Sequence, residues 1–398
     1  MTTLRDAQRV QIDVDLPAAL WEVTQSFDHS PIRDVYQAAA DELNGSGVLD
    51  RLEPGCRVAV AVGSRGIANL AVIVRAMVDT LRRRGFDPFV TPAMGSHAGG
   101  TAEGQIELLA GMGVTQEAVG VSILASMEVK LIGQIPGGPR LYQDVVSASA
   151  GATFLINRVK PHTDFRGPLE SGLAKMALIG LGKKTGATEM HDWGAAGFQK
   201  FLQPAARIYE ANTNIIGGLA LMEKAYDETA VIRALSMAEI GAQPEMDLLE
   251  TARKQMGSLG LANIDVLVVR ELGKNVSGTG MDTNIIGRLM IPREKEFGGQ
   301  ENIAAIAVLD LTPETHGNAL GMGLANVTTL RVYEQIDWHA MYTNALTSGI
   351  FGMQRVHMPI VMPDDRMAIQ AAVRGSGRSP AQARIVFVQN TLRVDHLW

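Results

Sequence analysis

Three of the eight histidines, His97, His162 and His191, stand in or beside loops expected to follow strands of one parallel sheet. Imidazole titrates near neutrality, so each could act as general acid or base, and its neutral form suits nickel or zinc. His97 lies in Met94-Gly95-Ser96-His97-Ala98-Gly99-Gly100, where the glycines leave the ring accessible; a plain surface histidine is the alternative. His162 lies in the segment 157–167 (NRVKPHTDFRG), the densest positive stretch of an acidic chain. That stretch suits an anionic substrate, or it is a solvated loop screened by Asp164. Lys175 sits among Leu173, Ala174, Met176 and Ala177. A lysine on an apolar helix face can lose its proton and become a nucleophile or covalent anchor, or it can snorkel to water. Lys183-Lys184 reads as a solvated turn or a phosphate contact. His191 opens the segment HDWGAAG, as a metal ligand or as an ordinary structural histidine.

Two further loops carry donors for an anion. Gly63-Ser64-Arg65-Gly66 follows the first strong strand and offers backbone N–H groups, a hydroxyl and a guanidinium. No full G-x-G-x-x-G pattern stands there, so an ordinary strand-to-helix turn is the simpler reading. The segment 274–284 (KNVSGTGMDTN), followed by Arg288, combines small polar residues with Lys274 and Arg288. It reads as an anion-binding loop or as a long turn. His316 is a weaker candidate, and Cys56 is expected to be buried and inert. There is no H-E-x-x-H pair, no cysteine set and no G-x-S-x-G elbow.

The elements needed to present these loops are legible. A β-branched run at 58–62 precedes a helical pattern at 67–84, which ends in three arginines and Gly85. A strand at 87–91 completes a βαβ unit and implies a parallel sheet. Thr101 is the expected N-cap of a helix over 102–111. Further strands are expected at 152–157 and 215–221, and helices at 173–180 and 197–211. A helix over 239–260 closes the first domain. Strands at 265–270 and 303–309 open a second α/β domain. The expected architecture is therefore two α/β domains, 1–260 and 261–398, with mainly parallel sheets and an active-site cleft between them, the last residues able to return to the first domain.

Composition narrows the function classes. The chain has 398 residues, 46% apolar and 20% charged, with a formal charge of −6. That fits two or three globular domains and excludes a disordered chain. An acidic chain with 5% aromatics and no basic run is a poor nucleic-acid or anionic-membrane binder. The single cysteine excludes an intrachain disulfide. The N-terminus has no apolar core of a secretory signal, and no stretch reaches 18 uncharged apolar residues, so a cytoplasmic location is expected. A monomer and a homo-oligomer are both open.

Taken together, these segments resemble the nickel-pincer-nucleotide lactate racemase family and its wider set of 2-hydroxyacid racemases and epimerases. Ser64-Arg65 stands where the family has Thr-Arg after its first strand. Gly95-Ser96-His97 matches its glycine–hydroxyl–histidine loop, and Pro161-His162 its Pro-His pair. Lys175 and His191 follow in family order, and Asp282-Thr283-Asn284 is similar to its Asp-x-Asn turn. The resemblance spans roughly 55–310.

It implies a covalently tethered cofactor, pyridinium-3,5-bisthiocarboxylic acid mononucleotide nickel, supplied by cofactor-maturation enzymes. By the resemblance Lys175 is the tether and His191 the nickel ligand. His97 and His162 are the acid/base pair, and Ser64 and Arg65 contact the cofactor. Lys274 or Arg288 contacts the substrate carboxylate or the cofactor phosphate. The implied reaction inverts C2 of a 2-hydroxyacid by reversible hydride transfer. Val62 replaces the family's acidic residue, and the tether segment reads Ser171-Gly172-Leu173-Ala174-Lys175 instead of Gly-Gly-Arg-Lys. These departures point to an acid other than lactate, larger or polyhydroxylated. Two other readings compete: a zinc hydrolase using the three histidines, and a non-catalytic anion-binding protein of the same fold.

Overall fold

The computed structural model describes residues 12–63, 66–299 and 301–398. The chain divides into two compact units, one of residues 28–256, the other of the N-terminal segment to Phe27 together with 257–398. No helix among the described residues is long and apolar enough to cross a membrane.

The unit 28–256 is built on a five-stranded sheet. Its strands run in the order Asp87–Pro92, Arg57–Val62, Ala152–Arg158, Ile215–Glu223, Thr229–Ser236. The first four pair in parallel and the last is antiparallel. Residues 58–62 and 152–156 are buried throughout, the near-continuous apolar pattern of strands covered on both faces. Helix Leu70–Arg83 packs Ile73, Val74, Met77 and Leu81 into that core. It begins three residues later than the apolar period suggests, because Asn69 takes a left-handed conformation that the helix cannot include. Thr101 caps helix Ala102–Gly111 as expected, its hydroxyl accepting from Gly104 N at 3.1 Å.

A separate hairpin, Val129–Gln134 with Arg140–Asp144, has no counterpart in the sequence reading. Its first strand is largely exposed, so it lacks the apolar alternation by which a half-buried strand is recognised. The expected helix at 173–180 also differs. One turn, Leu173–Lys175, passes into a π-helical stretch, Met176–Gly180, and a second helix, Lys183–His191, follows. The widened turn is closed by Leu181 N donating to Met176 O at 3.1 Å.

The other unit carries a seven-stranded sheet in the order Val23–Thr24, Arg393–Leu397, Ile385–Asn390, Val266–Leu272, Ala305–Leu311, Val327–Thr329, Ile360–Met362. Its five strands from Ile385–Asn390 onward pair in parallel. The two at the other edge are antiparallel. The chain is thus α/β with mainly parallel sheets in both units.

Candidate active site

In the unit 28–256, three neighbouring parallel strands end at the same edge of the sheet, and each releases a loop with candidate residues. After Arg57–Val62 comes the loop of Ser64 and Arg65, which lie outside the described residues. Asp87–Pro92 leads into the loop of His97. Ala152–Arg158 leads into the loop of His162.

The His162 loop is tied down along its length. Val159 N donates to Leu221 O at 2.8 Å, and Lys160 N to Ser171 O at 3.1 Å. The buried Glu170 carboxylate accepts from His162 N at 2.6 Å, from Gly167 N at 2.9 Å and from Arg253 Nη2 at 2.6 Å. Arg253 also donates to Gly167 O at 2.7 Å. The clamp grips the backbone and leaves the imidazole to other work. Phe165, buried, stacks on the ring at 4.5 Å between centroids and on Phe198 at 5.0 Å.

The His162 ring has a definite orientation. Its Nδ1 accepts from Asp164 N at 3.0 Å, so the neutral ring carries its proton on Nε2. Nε2 meets Lys175 Nζ within hydrogen-bonding distance. A neutral amine is the nucleophilic form of lysine. Lys175 Nζ also lies 5.8 Å from the Phe165 ring and 5.6 Å from Phe198, at the outer limit for a cation–π contact.

Lys175 is fixed by a residue seventy positions away. Glu245, fully buried, accepts from Leu173 N at 2.6 Å and Ala174 N at 3.1 Å through Oε1, and from Gly241 N at 2.7 Å through Oε2. One carboxylate therefore serves the first two amides of 173–175 and the amide of Gly241 just before its own helix, Gln243–Gln255. Burial pushes its pKa up, and the three N–H donors oppose that shift. The approach demands glycine at 172: a Cβ there would lie 2.2 Å from Glu245 Oε1. Glu245→Ala is expected to cost about 3–5 kcal/mol, since each buried amide left without an acceptor costs roughly 1–3 kcal/mol. Thermal unfolding checks this, and a midpoint lowered by on the order of 10 °C is expected for a unit of this size.

Sixteen residues along the same helical run, His191 ends helix Lys183–His191. Its ring lies 5.6 Å from Phe198. Burial, then the charge of Lys175, lowers its pKa, against the opposing pull of Asp164 and Asp192. The imidazole is thereby kept in the neutral, metal-ligating form. His162, Lys175 and His191 thus gather around Phe165 and Phe198.

His97 is half-buried on the neighbouring loop, its N–H donating to Met94 O at 3.1 Å. That loop rests on the segment of Lys175: Gly95 N donates to Gly180 O at 3.2 Å, and a Cβ on Gly180 would lie 2.6 Å from Ala93 O. Lys183, expected in a solvated turn, is instead fully buried. Cys56, expected buried, is half-buried, and desolvation raises its thiol pKa.

The remaining candidates belong to the other unit. Lys274 Nζ donates to Gly278 O at 2.6 Å, folding back on its own loop. Arg288 donates to Leu324 O, Asn326 Oδ1, Ile303 O and Ala304 O, between 2.7 and 3.3 Å. A carboxylate would have to compete with those bonds. Asp282 caps Thr283–Ile286, accepting from Asn284 N at 2.9 Å. His316 takes a left-handed conformation in the loop after Ala305–Leu311.

Sequence reasoning did not find Glu245, Glu170, Arg253, Phe165 or Phe198. The one local signal was Glu245 itself, an acidic residue in the first turn of helix Gln243–Gln255, next to Pro244. Among the described residues no group of three His, Cys, Asp or Glu side chains is disposed to hold a metal ion. A zinc hydrolase built on the three histidines therefore has no ligand set there.

No protein-family model matches the chain, and no curated protein does. Solved structures do. A Thermotoga maritima protein from a structural genomics programme aligns with a TM-score of 0.57 over 93% of this chain and 99% of its own, at 11% identity. The lactate racemase apoprotein of Thermoanaerobacterium thermosaccharolyticum aligns with a TM-score of 0.56 over 91% of this chain and 93% of its own, at 10% identity. At such identities the likeness is one of fold, and the chain accordingly has a lactate racemase-like α/β fold along nearly its whole length.

Proposed function

We propose that this chain is an isomerase that inverts C2 of a 2-hydroxyacid, using a nickel pincer nucleotide tethered to Lys175. The observation that carries the reading is the contact of Lys175 Nζ with His162 Nε2, beside His191 on a shared aromatic cluster. The residues present fit the group. Lys175 offers its amine on a helix start held by Glu245, and His191 offers a single imidazole for the metal, its pKa lowered first by burial. That donor set needs no cluster of three protein ligands. When bound, the nucleotide would supply a reversible acceptor for the C2 hydrogen as hydride.

The chain's own residues would handle the proton. Deprotonating C2 directly is unfavourable, because the neighbouring carboxylate is already anionic. Losing the hydroxyl proton together with the C2 hydrogen as hydride instead leaves a planar keto acid, to which hydride can be returned on either face. His162 would take that proton from one enantiomer while His97 gives a proton to the other, and the two exchange roles in the reverse direction. The Glu170 clamp would hold the His162 backbone still while the ring exchanges its proton. Ser64 and Arg65 are proposed to contact the cofactor, and Lys274 or Arg288 the carboxylate or the cofactor phosphate. Loading depends on cofactor-maturation enzymes.

A panel of chiral 2-hydroxyacids incubated in D2O tests the reaction type. Racemisation with the C2 hydrogen retained in the product is expected. Deuterium appearing at C2 at the rate of racemisation would replace hydride transfer with proton abstraction.

A further inference from the structure

Lys183 sits at the start of the helix that ends in His191, yet its side chain belongs to the His97 loop. Nζ donates to Pro92 O at 2.5 Å and to Gln105 Oε1 at 3.1 Å. Gln105, itself fully buried, passes the contact on, its Nε2 donating to Gly95 O at 2.9 Å. The loop between Pro92 and Gln105 is therefore grasped at its first residue, at Gly95 and at its far end, and His97 lies inside that span. Gly95 N donates back to Gly180 O, three residues before Lys183. A Cβ on Gly100 would touch Lys184 Cδ at 3.3 Å, so the end of the loop also rests on this segment.

Ordinary packing does not call for a lysine at this point. The residue is 0% exposed and has φ +52°, a left-handed conformation that non-glycine residues avoid. Desolvation lowers its pKa, and the buried Asp144 raises it. A methionine or leucine would fill the same space without a buried amine. What those residues lack is the pair of donors that reaches a strand-end carbonyl and a glutamine together. Asp144 holds its own place through Ser147 N at 2.9 Å and Ser147 Oγ at 2.5 Å, which leaves the Nζ bonds to the loop.

We propose that Lys183, through Gln105, is a positioning residue that locks the His97 loop onto the helical segment carrying Lys175 and His191. The proposal rests on the reading of His97 as an acid/base group, but its mechanical part stands on the chain alone.

Lys183→Met and Gln105→Met, in the full chain, test it, the second guarding against a Lys183 variant that fails to fold. Amide hydrogen exchange is read on peptides spanning 93–105 and on the rest of the unit. Exchange about tenfold faster or more, confined to 93–105, is expected in both, as for a local opening. In the loaded enzyme kcat should fall on the order of 10²-fold from misplacement of His97, with KM changed far less and the Lys175 adduct retained. Unchanged exchange in 93–105 for Gln105→Met, or acceleration spread over the whole unit, would reduce Lys183 to a core residue and overturn the proposal. Local acceleration in a chain whose wild type racemises no 2-hydroxyacid would uphold the lock and sink the isomerase reading alone.

Discussion

His162→Asn lowers kcat by about 10²–10⁴-fold, the usual contribution of a positioned acid/base group, while leaving the fold almost untouched. The two halves of this expectation come from different parts of the residue. The loop is held by Glu170 through the His162 backbone N–H, which asparagine keeps. The ring's structural bond is Nδ1 accepting from the amide two residues on, at 3.0 Å. An asparagine side chain makes that same i to i+2 contact, as in an Asx-turn. What asparagine cannot do is take and return a proton near neutral pH. Racemisation has an equilibrium constant of one, so kcat/KM must fall equally from either enantiomer. Initial rates from both, followed by chiral chromatography, check the size and the symmetry. A loss of less than about threefold, far below the range for acid/base catalysis, would remove His162 from proton transfer.

The parts of this site that follow from local pattern were legible in the chain itself. Strands 57–62, 87–92 and 152–158 show as short β-branched runs because they are covered on both faces. The loops after them show as glycine, histidine and basic residues at strand ends. Thr101 shows as a cap because its hydroxyl serves an amide three residues away. The parts that depend on distant contacts were not. Nothing near Lys175 announces Glu245, whose only business there is with three backbone amides. Lys183 beside Lys184 looks like a solvated pair, but its donors find acceptors 91 and 78 residues earlier in the chain. The hairpin 129–144 escaped because its first strand, with no buried position, carries Val129, Leu131 and Ile132 without a clean alternation. The π-helical turn after Lys175 escaped because apolar spacing over so few residues does not separate it from an α-helix.

The spacing of Lys175 and His191 was readable, but what unites them with His162 was not. Phe165 and Phe198 are separated by more than thirty residues and bring the three groups together by stacking. The lowered pKa of the half-buried His191 follows in part from the same surroundings.

Lys175 is the proposed point of attachment of the cofactor. Intact mass and nickel content, measured on protein made together with the cofactor-maturation enzymes, test this most directly, with Lys175→Ala and His191→Ala beside the wild type. The expected result is a mass increment of the nucleotide and bound nickel in the wild type. Both should vanish in Lys175→Ala, whereas His191→Ala should keep the increment and lose most of the metal, since the amine and the imidazole have separate tasks. A wild-type chain of unmodified mass and without nickel, alongside a control racemase that loads under the same conditions, would contradict the account and leave the Lys175–His162 pair as part of an anion-binding site in a racemase-like fold.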